Sequence, residues 1–229
     1  MYMPAPFVET DRASLVATMQ DHPFALLIVP RDGATPEIAH LPFLLSPEAG
    51  AQGTLHFHVA RPNPIAGLLD GAREVVVVFQ GPHAYISPAW YKGEVAVPTW
   101  NYVAVHAHGV PRPLVDDGAV AGLLDRLVEA EERHLGRPWS TASQTPDFLA
   151  KMRKGIAAFD LPIERLEGKF KLSQNRPAAD REGARDGLRG RGGALDLATA
   201  DAMAAWEARA DPGPSRGARP RASRPARPP

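Results

Sequence analysis

Residues 79–109 constrain the chain most, because they gather three of its four tyrosines, two of its four tryptophans and three of its eight histidines between two runs suited to an extended backbone. Val75-Val76-Val77-Val78-Phe79 leads in, and Trp100-Asn101-Tyr102-Val103-Ala104-Val105-His106-Ala107-His108 leads out. β-Branched and aromatic residues favour a pleated, half-buried surface, whereas proline cannot donate to a ladder, so Gly81-Pro82, Ser87-Pro88 and Val97-Pro98 mark breaks. The stretch predicts a β-meander whose irregular middle is a loop carrying Tyr85, Ser87, Trp90, Tyr91, Thr99, Trp100 and Asn101. Flat rings among small hydrogen-bonding groups suit a planar ligand with polar edges. The same residues also suit a well-packed aromatic corner.

The flanking sequence extends this mainly β pattern. Asp11 precedes Leu15, Val16 and Met19 at helical spacing, which predicts a helix capped by Thr10 or Asp11 and ended by His22-Pro23. Phe24 through Val29 reads as an apolar strand, Arg31-Asp32-Gly33 as a turn and Ile38 through Leu45 as the returning strand, with His40 expected to be buried and hydrogen-bonded. Gly53 through Val59 alternates, placing Leu55, Phe57 and Val59 on one face and Thr54, His56 and His58 on the other, which faces a partner subunit, a ligand or water. That strand runs into Ala60-Arg61-Pro62-Asn63-Pro64 and a short helix, and a strand-to-helix junction with an arginine is a seat for an anion. Two prolines remove amide donors there, leaving the work to the Arg61 and Asn63 side chains. Asp116-Asp117 opens an amphipathic helix, Phe148 to Met152 a short one, and Gly155 to Gly168 reads as one closing strand. That strand delivers Lys169 and Lys171, whose alternate positions put both amines on one side.

Five stretches also resemble a known family in its own order: His40-Leu41-Pro42-Phe43, His58-Val59-Ala60-Arg61-Pro62-Asn63-Pro64, Phe79 through Tyr91, Pro98 through His108, and Gly168-Lys169-Phe170-Lys171-Leu172-Ser173-Gln174-Asn175, with Met1-Tyr2-Met3-Pro4 as a matching start. They look like the FMN-binding negative transcriptional regulators of the PaiB family, over about residues 1–176. The resemblance implies an α+β, mainly antiparallel FMN-binding split β-barrel with peripheral helices, usually a homodimer with flavin near the subunit interface. In related split barrels, basic and hydroxyl residues hold the flavin phosphate where this strand meets this helix. The cofactor-binding set that follows is Arg61, Asn63, Gln80, Tyr85, Ser87, Trp100, Asn101, Lys169 and Lys171, with no catalytic residue and no metal ligand assigned. A flavin-dependent oxidoreductase of the pyridoxamine-phosphate-oxidase-like or flavin-reductase-like group is the alternative activity, in which the cofactor carries the hydride chemistry.

Composition narrows the remaining classes. With no cysteine among 229 residues, disulfides, iron–sulfur clusters and thiol chemistry are excluded. No signal-peptide pattern or membrane-length apolar run appears, so the expected location is the cytoplasm. Net charge is zero, but residues 212–229 carry five of the 26 lysines and arginines and no acid, so residues 1–211 hold 21 basic against 26 acidic side chains. A broad DNA-binding face needs clustered Lys and Arg, and residues 1–176 are expected to bind promoter DNA poorly; DNA is a partner by resemblance only. His56-x-His58 and His106-x-His108 could chelate a metal, but no acid or cysteine lies near either in sequence. Dinucleotide, Walker and hydrolase-elbow motifs are missing. Residues 177–211 read as a weakly helical extension with one helix over 195–208, and 212–229 as a disordered Pro/Arg-rich tail.

Overall fold

A computed structural model describes residues 1–93, 96–133 and 135–210. The chain order is β1 (Val8–Glu9), α1 (Arg12–Asp21), β2 (Phe24–Arg31), β3 (Ala34–Pro42), β4 (Leu44–Ser46), β5 (Thr54–Ala60), β6 (Val75–Ile86), β7 (Thr99–Gly109), β8 (Arg112–Leu114), α2 (Asp117–Glu132), α3 (Pro146–Arg153), β9 (Ile156–Pro162), β10 (Arg165–Lys171), α4 (Ala178–Arg191) and α5 (Ala194–Ala210). Asp11 caps α1 by accepting the Ser14 amide at 3.0 Å, and Asp116 caps α2 by accepting that of Ala119 at 2.7 Å. The β2–β3 turn closes at Gly33, whose φ of 67° a side-chain-bearing residue adopts only with strain.

Two antiparallel sheets form the split barrel, one of six strands in the order β1-β10-β7-β6-β2-β3 and one of four in the order β4-β5-β9-β8. Alternation along each strand sends Leu27, Val29, Leu55, Phe57, Val77, Phe79, Val105 and Leu161 into one shared core, where all are essentially fully buried. Burying each such side chain contributes about 1.5–3 kcal/mol. Phe57 packs 5.1 Å from Phe43 and 5.4 Å from Phe159, joining the layers.

The structure departs from the sequence reading at several places. The closing strand expected over 155–168 is two strands in different sheets, because the chain crosses from β9 to β10 at Ile163-Glu164. The central loop is shorter than expected: β6 absorbs Gly81-Pro82 as an irregularity between Gln80 and His83 and continues to Ile86, so Tyr85, Trp100 and Asn101 sit on paired strands. His40 is exposed and stacks on Phe24, with ring centroids 6.2 Å apart. The His56/His58 face lies under α2, since their cross-strand neighbours Leu44 and Ala158 pack with Val120, Leu123 and Leu127.

Residues 178–210, expected to hold at most one weak helix, form two. Ala184, Leu188, Ala200 and Met203 join the barrel core. Gly183 and Gly187 of α4 admit Trp90 so closely that a Cβ on either would collide with its carbonyl or ring. The tail expected to be disordered over 212–229 lies outside the described residues.

Candidate functional site

The six-stranded sheet buries one face in the core and leaves the other open. Registers β6–β7 and β10–β7 align Tyr85 with Trp100, His83 and Lys171 with Tyr102, Gln80 and Lys169 with Ala104, and Glu167 with His106. Paired residues share a side, so these groups stand together on the outer face. Farther across, Phe24 and Ile38 continue the surface, 68% and 54% exposed, with Leu26, Ile28, Val76 and Val78 half-buried between them.

One end of this face is aromatic and basic. Trp100 is 54% exposed, and the Tyr85 ring meets it edge-on with centroids 6.1 Å apart. The Lys169 Nζ donates to the Tyr2 carbonyl at 2.8 Å and lies 5.4 Å from the centre of the Tyr102 ring. Lys171 Nζ donates to the Thr99 hydroxyl and, at 2.8 Å, to the Trp100 carbonyl. Burial, followed by the neighbouring Lys169 ammonium, pushes the Lys171 amine below its ordinary pKa. Among the described residues neither lysine has a carboxylate within 4.0 Å. Two part-buried ammonium groups with no counter-charge among the described residues are a costly arrangement that an anion relieves.

Five of the nine sequence candidates therefore share the face: Gln80, Tyr85, Trp100, Lys169 and Lys171. The other four stand elsewhere or work locally. Asn101 points through the sheet, fully buried, exchanging hydrogen bonds with Ser173 at 2.9 and 3.2 Å beneath Met203 of α5. Ser87 caps a 3-10 turn by accepting the Ala89 amide at 3.2 Å. Asn63 does the same for Ile65 at 3.1 Å. Arg61 is exposed but spends Nε and Nη2 on the Lys154 and Ile156 carbonyls at 3.0 and 2.7 Å, tying the end of β5 to the start of β9. Tyr102 was missed by sequence reasoning, although its alternation with Trp100 placed it on the same side.

The opposite end of the face carries His106 and His108 from β7 and Glu167 from β10, so pairing supplies the acid that sequence proximity did not. Burial pushes both imidazoles below the usual histidine pKa, and the Arg165 guanidinium adds to this at His108.

The sequence profile of the family described as "Putative FMN-binding domain" matches residues 1–165. A curated relative, "Protease synthase and sporulation protein PAI 2" of Bacillus subtilis, is 34% identical over 79% of this chain and 85% of its own length. The chain belongs to this FMN-binding family. An uncharacterized Aspergillus fumigatus protein is 32% identical over 82% of the chain and 90% of its own length. Among solved structures, the FAD and heme binding protein of Mycobacterium smegmatis superposes with a TM-score of 0.54 at 19% identity, covering 81% of this chain and 80% of that one, which shows a shared fold. FMN is the cofactor of the FMN-binding family, and the donor set on the outer face fits it: aromatic rings for a planar heterocycle and two lysines, without a carboxylate partner among the described residues, for a phosphate. The expected fold, family and cofactor therefore hold.

Proposed function

We propose that the chain works as a homodimer that holds FMN on the outer face of the six-stranded sheet, with Trp100, Tyr102 and Tyr85 against the flavin ring and Lys169 and Lys171 toward its phosphate, and that it serves as a flavin-dependent sensor or negative transcriptional regulator. The observation that carries the reading is the pair of part-buried lysines that have no carboxylate partner among the described residues and lie beside exposed aromatic rings. Bound FMN supplies a redox-active ring; the chain's own residues bind the phosphate and flank the heterocycle. The exposed Phe24 and Ile38 add an apolar patch to this face, and a second copy laid on it by two-fold symmetry buries them. Kinship with a protein named for protease synthesis and sporulation supports the regulatory half.

Flavin fluorescence titration with FMN and riboflavin tests the site. Lys169→Ala and Lys171→Ala are each expected to raise the FMN dissociation constant about tenfold to a hundredfold, the equivalent of about 1.5–3 kcal/mol for a charge-assisted hydrogen bond, with riboflavin binding nearly unchanged because it has no phosphate. Arg61→Ala is expected to weaken both flavins together through the loosened β5–β9 junction. A phosphate-selective loss confined to Arg61→Ala would move the anion seat back to the strand-to-helix junction. Light scattering of the full chain reads the dimer, and a monomer at micromolar concentration removes that part of the proposal. Anaerobic mixing with NADH or NADPH distinguishes the activities: a persistent flavin spectrum fits the sensor, and rapid bleaching makes the chain a reductase.

A further inference from the structure

The His106, His108 and Glu167 end of the outer face is chemically distinct from the flavin end. Antiparallel pairing sets Glu167 directly opposite His106, and alternation brings His108 to the same side. One ligand atom from each of the three residues lies within 4.8 Å of the others. His108 is 8% exposed, and its Nε2 is buried with no hydrogen-bond partner among the described residues, 3.8 Å from Glu167 Oε1. An orphaned ring nitrogen facing a carboxylate at more than hydrogen-bond distance is unusual in a protein interior, where buried polar atoms are almost always partnered.

We propose that His106, His108 and Glu167 bind a divalent first-row transition ion of the zinc type, with a fourth position left to water or a ligand. Two imidazoles and one carboxylate are a zinc donor set. Bonds of about 2.0–2.2 Å place neighbouring ligand atoms of a tetrahedral site about 3.3–3.6 Å apart, so the 3.8 Å Glu167–His108 separation closes with a small side-chain rotation.

Cations near the cluster compete with the metal and define the test. Arg165 Nη2 donates to His108 Nδ1 at 2.9 Å, its Nη1 pairs with Glu167 Oε1, and the Met1 ammonium donates to Glu167 Oε2 at 2.6 Å. With Arg165 in place, Nδ1 accepts and Nε2 carries the proton, which blocks ligation. Metal on Nε2 requires the proton on Nδ1 and a new acceptor for it. Glu74 Oε1 already lies 3.8 Å from Nδ1 and 3.7 Å from Arg165 Nη2, positioned to take both that proton's hydrogen bond and the displaced guanidinium. Arg165 thus acts as a gate that weakens metal affinity, and Glu74 as the carboxylate that orients the ligated imidazole.

The full chain, stripped with a chelator and desalted, is titrated with Zn²⁺ by calorimetry and with Co²⁺ by visible absorption. We expect one ion per chain and a Co²⁺ spectrum of low-symmetry nitrogen and oxygen ligation. Glu167→Gln and His106→Ala should each weaken binding at least tenfold, and Arg165→Ala should tighten it several-fold, an increase that a purely structural role for these residues does not predict. Circular dichroism checks folding, and should His106→Ala not fold, the near-isosteric Glu167→Gln and the half-exposed Arg165→Ala carry the decision. Absence of stoichiometric binding, or binding that Glu167→Gln and Arg165→Ala leave unchanged, overturns the site.

Discussion

Trp100 and Asn101 are neighbours on one strand, yet they belong to opposite sides of the sheet and do different work. Trp100 faces outward among the aromatic rings, while the fully buried Asn101 meets Ser173, which the chain holds at a φ of 66°, and the sulfur of Met203. Their types alone marked both as ligand-binding, because a side chain that suits a polar ligand edge equally suits a buried hydrogen-bond partner. Asn101→Ala is expected to destabilise the fold by about 1–3 kcal/mol, since it leaves the Ser173 hydroxyl buried without its partner, and to leave the dissociation constant for FMN within about twofold. Thermal melting and flavin titration of the same variant check the two halves.

The α4 helix shows how an element can be invisible to pattern reading and still be specified. Its buried positions, Asp180, Ala184 and Leu188, recur at helical spacing, but only one of the three is strongly apolar, so no hydrophobic stripe announces them. Asp180 is buried because its Oδ1 accepts the Lys92 and Gly93 amides at 2.8 and 3.1 Å, fastening the segment after Tyr91 to the helix. The glycines that lowered its helix propensity form the seat for Trp90, whose ring also lies 5.4 Å from the Arg191 guanidinium. Gly187→Ala improves intrinsic helix propensity by up to about 1 kcal/mol but places a methyl in the Trp90 ring, and overpacking of this kind costs about 1–3 kcal/mol. The expected result is a lower melting temperature, whereas Gly190→Ala, with open space around it, should raise it or leave it level.

For the molecule as a whole, the C-terminal hairpin is part of the barrel's core. Leu188 and Met203 are buried with Phe79 and Ile86, and burial of two such side chains is worth on the order of 3–6 kcal/mol, comparable with the entire net stability of a small domain. A chain ending at Arg176 is therefore expected to lose cooperative unfolding or aggregate, while one ending at Ala210 should melt within a few degrees of the full chain. Calorimetry of the two truncations is the check, and a cooperative, equally stable 1–176 fragment would show the hairpin to be peripheral. Three of the four arginines of α4 are also spoken for, Arg181 and Arg185 pairing with Glu207 and Arg191 with Asp196, while the half-exposed Arg189 lies 3.8 Å from Asp201. They present no free basic stripe to DNA, in keeping with the acidic balance of residues 1–211.

What the sequence determined by itself is local. Period-two alternation separated the two faces of β5, capping residues at 10–11 and 116–117 placed two helix starts, and the ordered motifs identified the family and its cofactor. Tertiary structure alone decided which faces meet. Pairing β10 with β7 set Lys171 beside Tyr102 and Glu167 beside His106 from positions more than fifty residues apart, and docking α5 turned Asn101 from a ligand candidate into a core residue. The physical reason is that alternation tells which residues share a side of one strand, whereas the register between distant strands is chosen by the packing of the whole core, to which no single segment has access.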